Sequence, residues 1–270
     1  MPERYLSEVL QTFPDIAHHA APLASIEKRI YDSLWRAIIQ GQLKPGTKLK
    51  ELILCETFGV SRTVVRKVLV IMEQEGIVEL PVNRGAYVAT PTPQDAREVC
   101  EALRAIGTHV VIALSTPCRE LDAADIRRLQ RQVEIQAEAD TGDDIHRIRM
   151  LSSEFHLLLV NIHGNKILAT LYGNLITRLI MATLHYQTIP NLPKRADFQK
   201  GLVQAIISHE QRKAAAAITE FYHAVERGLL LENSDAEPDL RAILLTESET
   251  PYQPSQPSAQ NGKHKRPKLS

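Results

Sequence analysis

FGVSRTVVRKVLVIMEQEG, residues 58–76, decides how the first third of the chain folds. Gly59-Val60 breaks one helix and Ser61 is placed to cap the next. Val65, Leu69 and Met72 then recur on a single stripe until Gly76 ends it. Arg62, Thr63, Arg66 and Lys67 fall on the opposite, exposed face of the first two turns. Just upstream, residues 51–58 read as a short helix with Leu52, Cys55 and Phe58 inward. A helix, a tight turn and a second helix with Arg and Thr at its exposed N-terminal end is the geometry that enters a DNA major groove. There an arginine can give two parallel hydrogen bonds to guanine, and a threonine can sort thymine from other bases. Two arginines alone would be an ordinary solvated surface. Their place in an ordered set is what points to DNA.

Working outward, Ser25 can cap a helix in which Ile26, Ile30, Leu34 and Ile38 share a face and Gly41 takes the left-handed end. Leu43-Lys44-Pro45-Gly46-Thr47 places Pro and Gly at the centre of a type II turn. After Gly76, residues 77–80 and 86–89 alternate like two short strands joined by Pro81-Val82-Asn83-Arg84-Gly85. This hairpin is a wing, with Arg84 and Gly85 at its tip suited to a phosphate or minor-groove contact. Residues 25–90 carry ten basic against seven acidic side chains, a mildly positive local balance.

The whole chain has 270 residues, room for about two domains. Lys+Arg and Asp+Glu are equal at 32 each, so any nucleic-acid footprint is local. Cys55, Cys100 and Cys118 are widely spaced and read as reduced, mostly buried thiols of a cytoplasmic protein. No secretory leader and no uninterrupted apolar span of about 18 residues is apparent. Residues 1–24 read as a loosely held, flexible arm and 25–91 as the winged helix-turn-helix, which Thr90-Pro91-Thr92-Pro93 closes as a stiff linker. Residues 92–235 are almost strandless, with helical runs at 94–115, 122–139, 143–163, 165–187, 196–208 and 210–231. Residues 236–270 read as a disordered basic tail, either a weak DNA attractant or inert. The expected fold is mainly α: three helices plus a β-hairpin wing, followed by an all-α helical bundle. The ten histidines form no HExxH, and the chain shows no nucleophile elbow or phosphate loop, so an enzyme is not expected.

Residues 41–88 resemble the winged helix-turn-helix of GntR-family transcription regulators. The resemblance implies that Arg62, Thr63, Arg66 and the wing around Gly85 contact DNA, with Ser61 at the helix start. Val64 replaces the usual Pro and Lys67-Val68 the usual Glu-Ala, so Lys67 is expected to add a phosphate contact. The second region resembles the FCD domain of the FadR-like branch through Glu101-Ala102-Leu103-Arg104, Glu154-Phe155-His156, His163-Gly164-Asn165-Lys166-Ile167-Leu168 and Gln204-Ala205-Ile206. Many such domains hold a divalent metal with one Asp and three His, and the metal helps bind a carboxylate effector. Here those positions are Ser152, His156, Gln199 and Phe221. One imidazole, a hydroxyl and an amide make a poor divalent-ion shell, so no cofactor is expected, His156 being the sole candidate ligand.

Ser152, His156, Gln199 and Phe221 are read instead as the lining of a metal-free effector pocket, against the alternative that His156 is a satisfied core histidine. Arg104 falls where the resemblance implies an inward arginine facing the ligand carboxylate; its structural alternative is a surface ion pair with Glu101 or Glu98. Gly107 stands in place of a family acidic residue, which suggests room for a larger or more negative ligand. The implied whole is a homodimeric regulator, more often a repressor than an activator, on a palindromic operator, with a small carboxylate-bearing effector altering its affinity. A regulator whose bundle only dimerises and senses nothing stays open beside it.

Overall fold

The computed structural model describes residues 5–13, 23–186 and 195–229. The expected tail over 236–270 lies outside these residues, as do residues 1–4 and 14–22 of the expected arm. The described elements are α1 (Glu8–Gln11), α2 (Ser25–Ile39), β1 (Lys48–Leu49), α3 (Glu51–Phe58), α4 (Arg62–Gln74), β2 (Val78–Glu79) and β3 (Ala86–Val88). After them come α5 (Pro93–Leu114), α6 (Ala123–Ala139), α7 (Ile145–His163), α8 (Lys166–His185), α9 (Arg195–Ile207) and α10 (Gln211–Gly228).

In the winged part, α2 turns Ile30, Leu34 and Ile38 toward Val65, Val68, Leu69 and Met72 of α4, all at 4% exposure or less. Each such side chain contributes about 1.5–3 kcal/mol of burial, so this seam fixes the orientation of α4. The type II turn is present: Thr47 N–H donates to Lys44 C=O, and Gly46 sits at φ 79°. The strands differ from a simple hairpin. β1 pairs antiparallel with β3, giving the order β1-β3-β2 with Lys48 and Glu79 both opposite Tyr87. A two-residue strand carries too little periodicity to be seen in sequence. On α3 the expected inner face is corrected: Leu54, Cys55 and Phe58 pack inward, while Leu52 is 70% exposed. On the same helix the first-turn Glu51 reaches Arg62 of α4.

The linker ends inside a helix. Pro93 is the first residue of α5, Thr92 Oγ1 accepts from Asp95 N–H at 3.1 Å, and the Asp95 carboxylate accepts from Thr92 N–H at 2.9 Å. This reciprocal cap needs no neighbour, which is why the sequence reads it well. In the bundle α5 packs against α10, α8 and α7, while α6 lies on α7 and α9. α8 alone among the described residues is long and apolar enough to cross a membrane, but half of its apolar window is buried in the bundle. Cys100 is buried and Cys55 half-buried as expected, but Cys118 is exposed.

Two of the contacts that join the winged part to the bundle flank a common cleft. Tyr186 OH donates to Pro91 C=O at 2.8 Å. The Arg178 side chain lies against Gly76, where an added Cβ would meet Arg178 Cγ at 3.0 Å. Between them opens a cleft of about 730 Å³ lined by the base of the wing, the linker, α5 and α8.

The expectation of a loose arm fails for residues 5–13. Tyr5, Val9 and Leu10 are buried, and Ser7 is 1% exposed. Their order comes from a buried carboxylate far away in sequence, Glu154, which no local pattern could reveal. Gly76, at φ 75°, needs the left-handed region and has Arg178 where a side chain would go. Gly76→Ala is expected to lower unfolding stability by about 1–2 kcal/mol in a urea titration, through backbone strain and displacement of Arg178.

Candidate nucleic-acid interface and effector site

Ser61 precedes α4 with extended backbone as a capping residue should, but its side chain caps nothing; its carbonyl accepts from Val64 and Val65 N–H. The first two turns of α4 present Arg62, Thr63, Arg66 and Lys67 outward, as their spacing from the buried stripe requires. Arg62 and Arg66 point at Glu51. Arg62 Nε donates to Glu51 Oε2 at 2.5 Å, and Arg66 Nη1 lies 3.8 Å from Oε1. The Glu51 side chain is 12% exposed while the two arginines are 71% and 56% exposed. A nearly enclosed anion thus holds one edge of the Arg62 guanidinium and stands within ion-pair range of Arg66, while both arginine side chains stay largely exposed.

Lys67 is held differently. Its ammonium lies 2.9 Å from both oxygens of Glu27, whose Oε2 also accepts from Ala24 N–H at the start of α2. The bond to Lys67, then that to Ala24, holds the Glu27 carboxyl below the usual carboxylate range. Glu27 therefore caps α2, one residue earlier than a Ser25 cap implies, and staples it to α4. Lys67 sits in this staple, a role not foreseen for a phosphate-contacting lysine, though its side chain remains 55% exposed.

At the wing tip Asn83 takes φ 59° and Gly85 φ 90°, so the chain reverses sharply and leaves Arg84 exposed. Lys48, from β1, reaches the same edge with its ammonium 5.4 Å from the Tyr87 ring centre. This second cation entered through the third strand and was not singled out from sequence.

The effector candidates surround α7. His156 is 2% exposed, and its ring centre lies 4.5 Å from Phe221, 5.5 Å from Tyr222 and 6.1 Å from Phe198. Phe198 stacks on Phe221 at 4.7 Å. Neither imidazole nitrogen has a hydrogen-bond partner, and burial pushes the ring's pKa down to about 3. An aromatic box therefore stands where the family pattern would place further ligands, and it holds a neutral imidazole. Ser152 is buried one turn earlier on α7, and Gln199 is fully buried on α9. Gln199 donates to Gln136 Oε1 at 3.3 Å, and its own Oε1 has no partner. Among the described residues no three His, Cys, Asp or Glu side chains converge as a metal shell.

Arg104 makes neither alternative ion pair. Its Nη1 lies 3.1–3.2 Å from the two ring nitrogens of His223 on α10. His223, two residues beyond Phe221 on α10, is thus the residue that faces Arg104. Gly107, three residues on, corrects the expected spare room: a Cβ there would meet Ile218 Cγ1 at 3.3 Å, Tyr172 OH at 3.4 Å and Tyr222 Cε2 at 3.5 Å. The missing acidic side chain is replaced by close approach of α5 to α8 and α10, tied by the buried Tyr172–Tyr222 hydroxyl contact.

The imidazole makes a pH prediction. His156 stays neutral in the fold well below the range where a free histidine takes up a proton, about 6.5. The unfolded chain thus binds one more proton between about pH 6.5 and 3, and stability falls as pH falls through that window. His156→Phe is expected to flatten this dependence in denaturation midpoints measured at pH 7, 6, 5 and 4. Parallel wild-type and variant curves would refute a neutral, enclosed imidazole.

Residues 26–88 match the bacterial regulatory proteins of the gntR family, and residues 98–224 match the FCD domain. The chain is 28% identical over 147 residues to the HTH-type transcriptional regulator YdhC of Bacillus subtilis, covering 53% of this chain and 63% of that protein. It is 27% identical over 141 residues to the HTH-type transcriptional repressor RspR of Escherichia coli K12, covering 52% and 60%. The match thus spans under two thirds of the length of both relatives. A regulator from an unstable DNA locus of Streptomyces ambofaciens is 27% identical over 191 residues, 71% of this chain and 74% of that protein. Among solved structures, the GntR protein of Rhodococcus sp. RHA1 superposes with a TM-score of 0.66 at 20% identity, covering 76% of this chain and 97% of that one. E. coli McbR/YncC gives 0.63 at 20% identity, covering 76% and 98%; both show the shared fold. With the two domains matched in this order, the chain belongs to the gntR-family bacterial regulatory proteins that carry an FCD domain.

Proposed function

We propose that the protein is a DNA-binding transcriptional regulator, acting as a homodimer on a palindromic operator, whose helical bundle binds a small carboxylate-bearing effector. The observation that carries the reading is the face of α4: two arginines oriented by one enclosed carboxylate, beside a wing whose tip exposes Arg84. An arginine with one edge held by an acid keeps its other N–H groups in a fixed plane, the condition for reading a guanine edge bidentately. Family membership supports the same reading, and a repressor role fits the name borne by RspR. The solvent-facing apolar residues Ile167 and Leu171 on α8 support a bundle face available to a second copy. Two-fold symmetry would set the recognition helices about one helical turn apart. Retention in a reducing, cytoplasmic compartment is part of the proposal, consistent with three free thiols.

For the effector, Arg104 and His223 supply a cationic and a polar group between α5 and α10, and Ser152, His156 and Gln199 supply buried polar atoms. The arginine would orient a carboxylate, and no metal is required. A second reading, a bundle that only dimerises, is favoured by the aromatic packing that closes around His156. A thermal-shift screen with carboxylates and acyl thioesters separates them. Ligand-specific stabilisation that disappears in Arg104→Ala supports the sensor. A flat response across the screen supports the dimerisation module.

The DNA reading is tested with a duplex selected from random sequence. Arg66→Ala should weaken binding by about 1–3 kcal/mol and relax preference at one base pair. Glu51→Gln should have a split effect: tighter binding to random duplex, because a competing anion is gone, and poorer discrimination of the selected duplex, because the arginines lose their orientation. Unchanged affinity and preference in both variants, measured by electrophoretic titration, would remove α4 as the recognition helix.

A further inference from the structure

Glu154 is a carboxylate that the effector reading does not use. It is 1% exposed on α7, and burial pushes its carboxyl up to about 7. Two successive main-chain groups meet its two oxygens: Leu6 N–H donates to Oε1 at 2.6 Å and Ser7 N–H to Oε2 at 2.9 Å. Ser7 Oγ in turn donates to Gln132 Oε1 at 2.5 Å and accepts from Val9 N–H at 3.1 Å. Consecutive N–H groups converging on one anion are a specific anchor, since no single side-chain contact would need both.

Around it, Glu8 pairs with Arg131 at 2.9 Å, and Arg128 lies 5.3 Å from the Phe13 ring centre. Tyr5, Val9 and Leu10 add 8%, 6% and 1% exposed apolar side chains. A nine-residue segment is thus seated on α6 and α7 by a buried polar anchor with apolar contacts on both sides.

Its other side reaches the winged domain. Tyr5 and Trp35 of α2 line one small void together with Met150 and Leu157 of α7 and Ile176 and Ile180 of α8. Trp35 is 5% exposed. The void is where residues 5–13 and α2 come together. Glu154 also lies two residues from both Ser152 and His156, hence on the opposite side of the same helix. A rotation or slide of α7 that alters one side must alter the other.

We propose that residues 5–13 are an intramolecular latch: seated on Glu154, they hold α2 of the DNA-binding domain against α7 and α8, and movements of α7 reach the winged domain through them. The seating and the void shared with α2 stand independently of the regulator reading, and only the effect on DNA rests on it.

The test uses the full chain and two variants. Glu154→Gln keeps the shape but offers one acceptor oxygen to two N–H groups. Ser7→Pro removes both the N–H given to Glu154 and the hydroxyl shared with Gln132 and Val9, at a position whose φ of −87° is close to what proline adopts, and changes no residue of the bundle itself. Hydrogen exchange is read on peptides covering 5–13, 25–39 and 195–229.

The latch predicts slow exchange over 5–13 in the wild type, about tenfold or more faster exchange there in both variants, faster exchange in 25–39, and no change in 195–229. Free-chain exchange over 5–13 in the wild type would overturn it. So would release of the arm with α2 unaffected. If Glu154→Gln does not fold, Ser7→Pro decides alone.

Anisotropy titration with the selected duplex then reads the functional step, expected as a change of about threefold or more in Kd on release. If the wild type binds no duplex, the regulator reading fails while the exchange data still decide the latch. If it binds and Kd does not move, transmission to DNA is refuted.

Discussion

The winged domain depends on one constraint: α4 has to bury a single stripe completely while leaving its other face in water. Val65, Val68, Leu69 and Met72 are at 0% exposure against α2. That seam leaves α4 no rotational freedom, so Arg62 and Arg66 must face outward. Glu51, from the first turn of α3, then closes over them with a nearly enclosed carboxylate. On the same helix Leu52 lies in solvent. Lys67 and Glu27 secure the other side of α4 in the same way, with one carboxylate serving as both helix cap and ion-pair partner.

The bundle solves a different problem. Where the family pattern gathers metal ligands, this chain has one imidazole, and a lone buried imidazole without a partner is costly unless it is neutral and well packed. Phe198, Phe221 and Tyr222 supply the packing, and desolvation keeps the ring neutral. Gly107 belongs to the same adjustment: Ile218, Tyr172 and Tyr222 fill the space beside it rather than leaving a wider pocket. The polar atoms left over, on His156 and Gln199, are what give this packed interior any chemical character.

Among the described residues, Tyr186 meets Pro91, Arg178 lies against Gly76, and Tyr5 lines a void that Trp35 also lines. They come from the end of α8, its middle and the N-terminal segment, so the winged domain is held at more than one place. A change within α7 and α8 therefore has several physical routes to α2 and α4.

How much of this was legible beforehand follows from the range of each interaction. Helix periodicity, the Pro-Gly turn, the Thr92–Asp95 cap and the Gly76 stop are set by residues within a few positions of one another. The sequence by itself therefore determined the helices of both parts and the outward face carrying Arg62, Thr63 and Arg66. What joins positions far apart carries no such local trace. The pairing of Glu51 with the two arginines, of Arg104 with His223, the third strand at the wing, and the docking of residues 5–13 on Glu154 were decided only by the tertiary structure. In each case the deciding group is a buried or half-buried charge or polar group that takes its partner from another element. Hydrophobic spacing says which side of a helix goes inside; it does not say which distant donor will satisfy an acid once it is there.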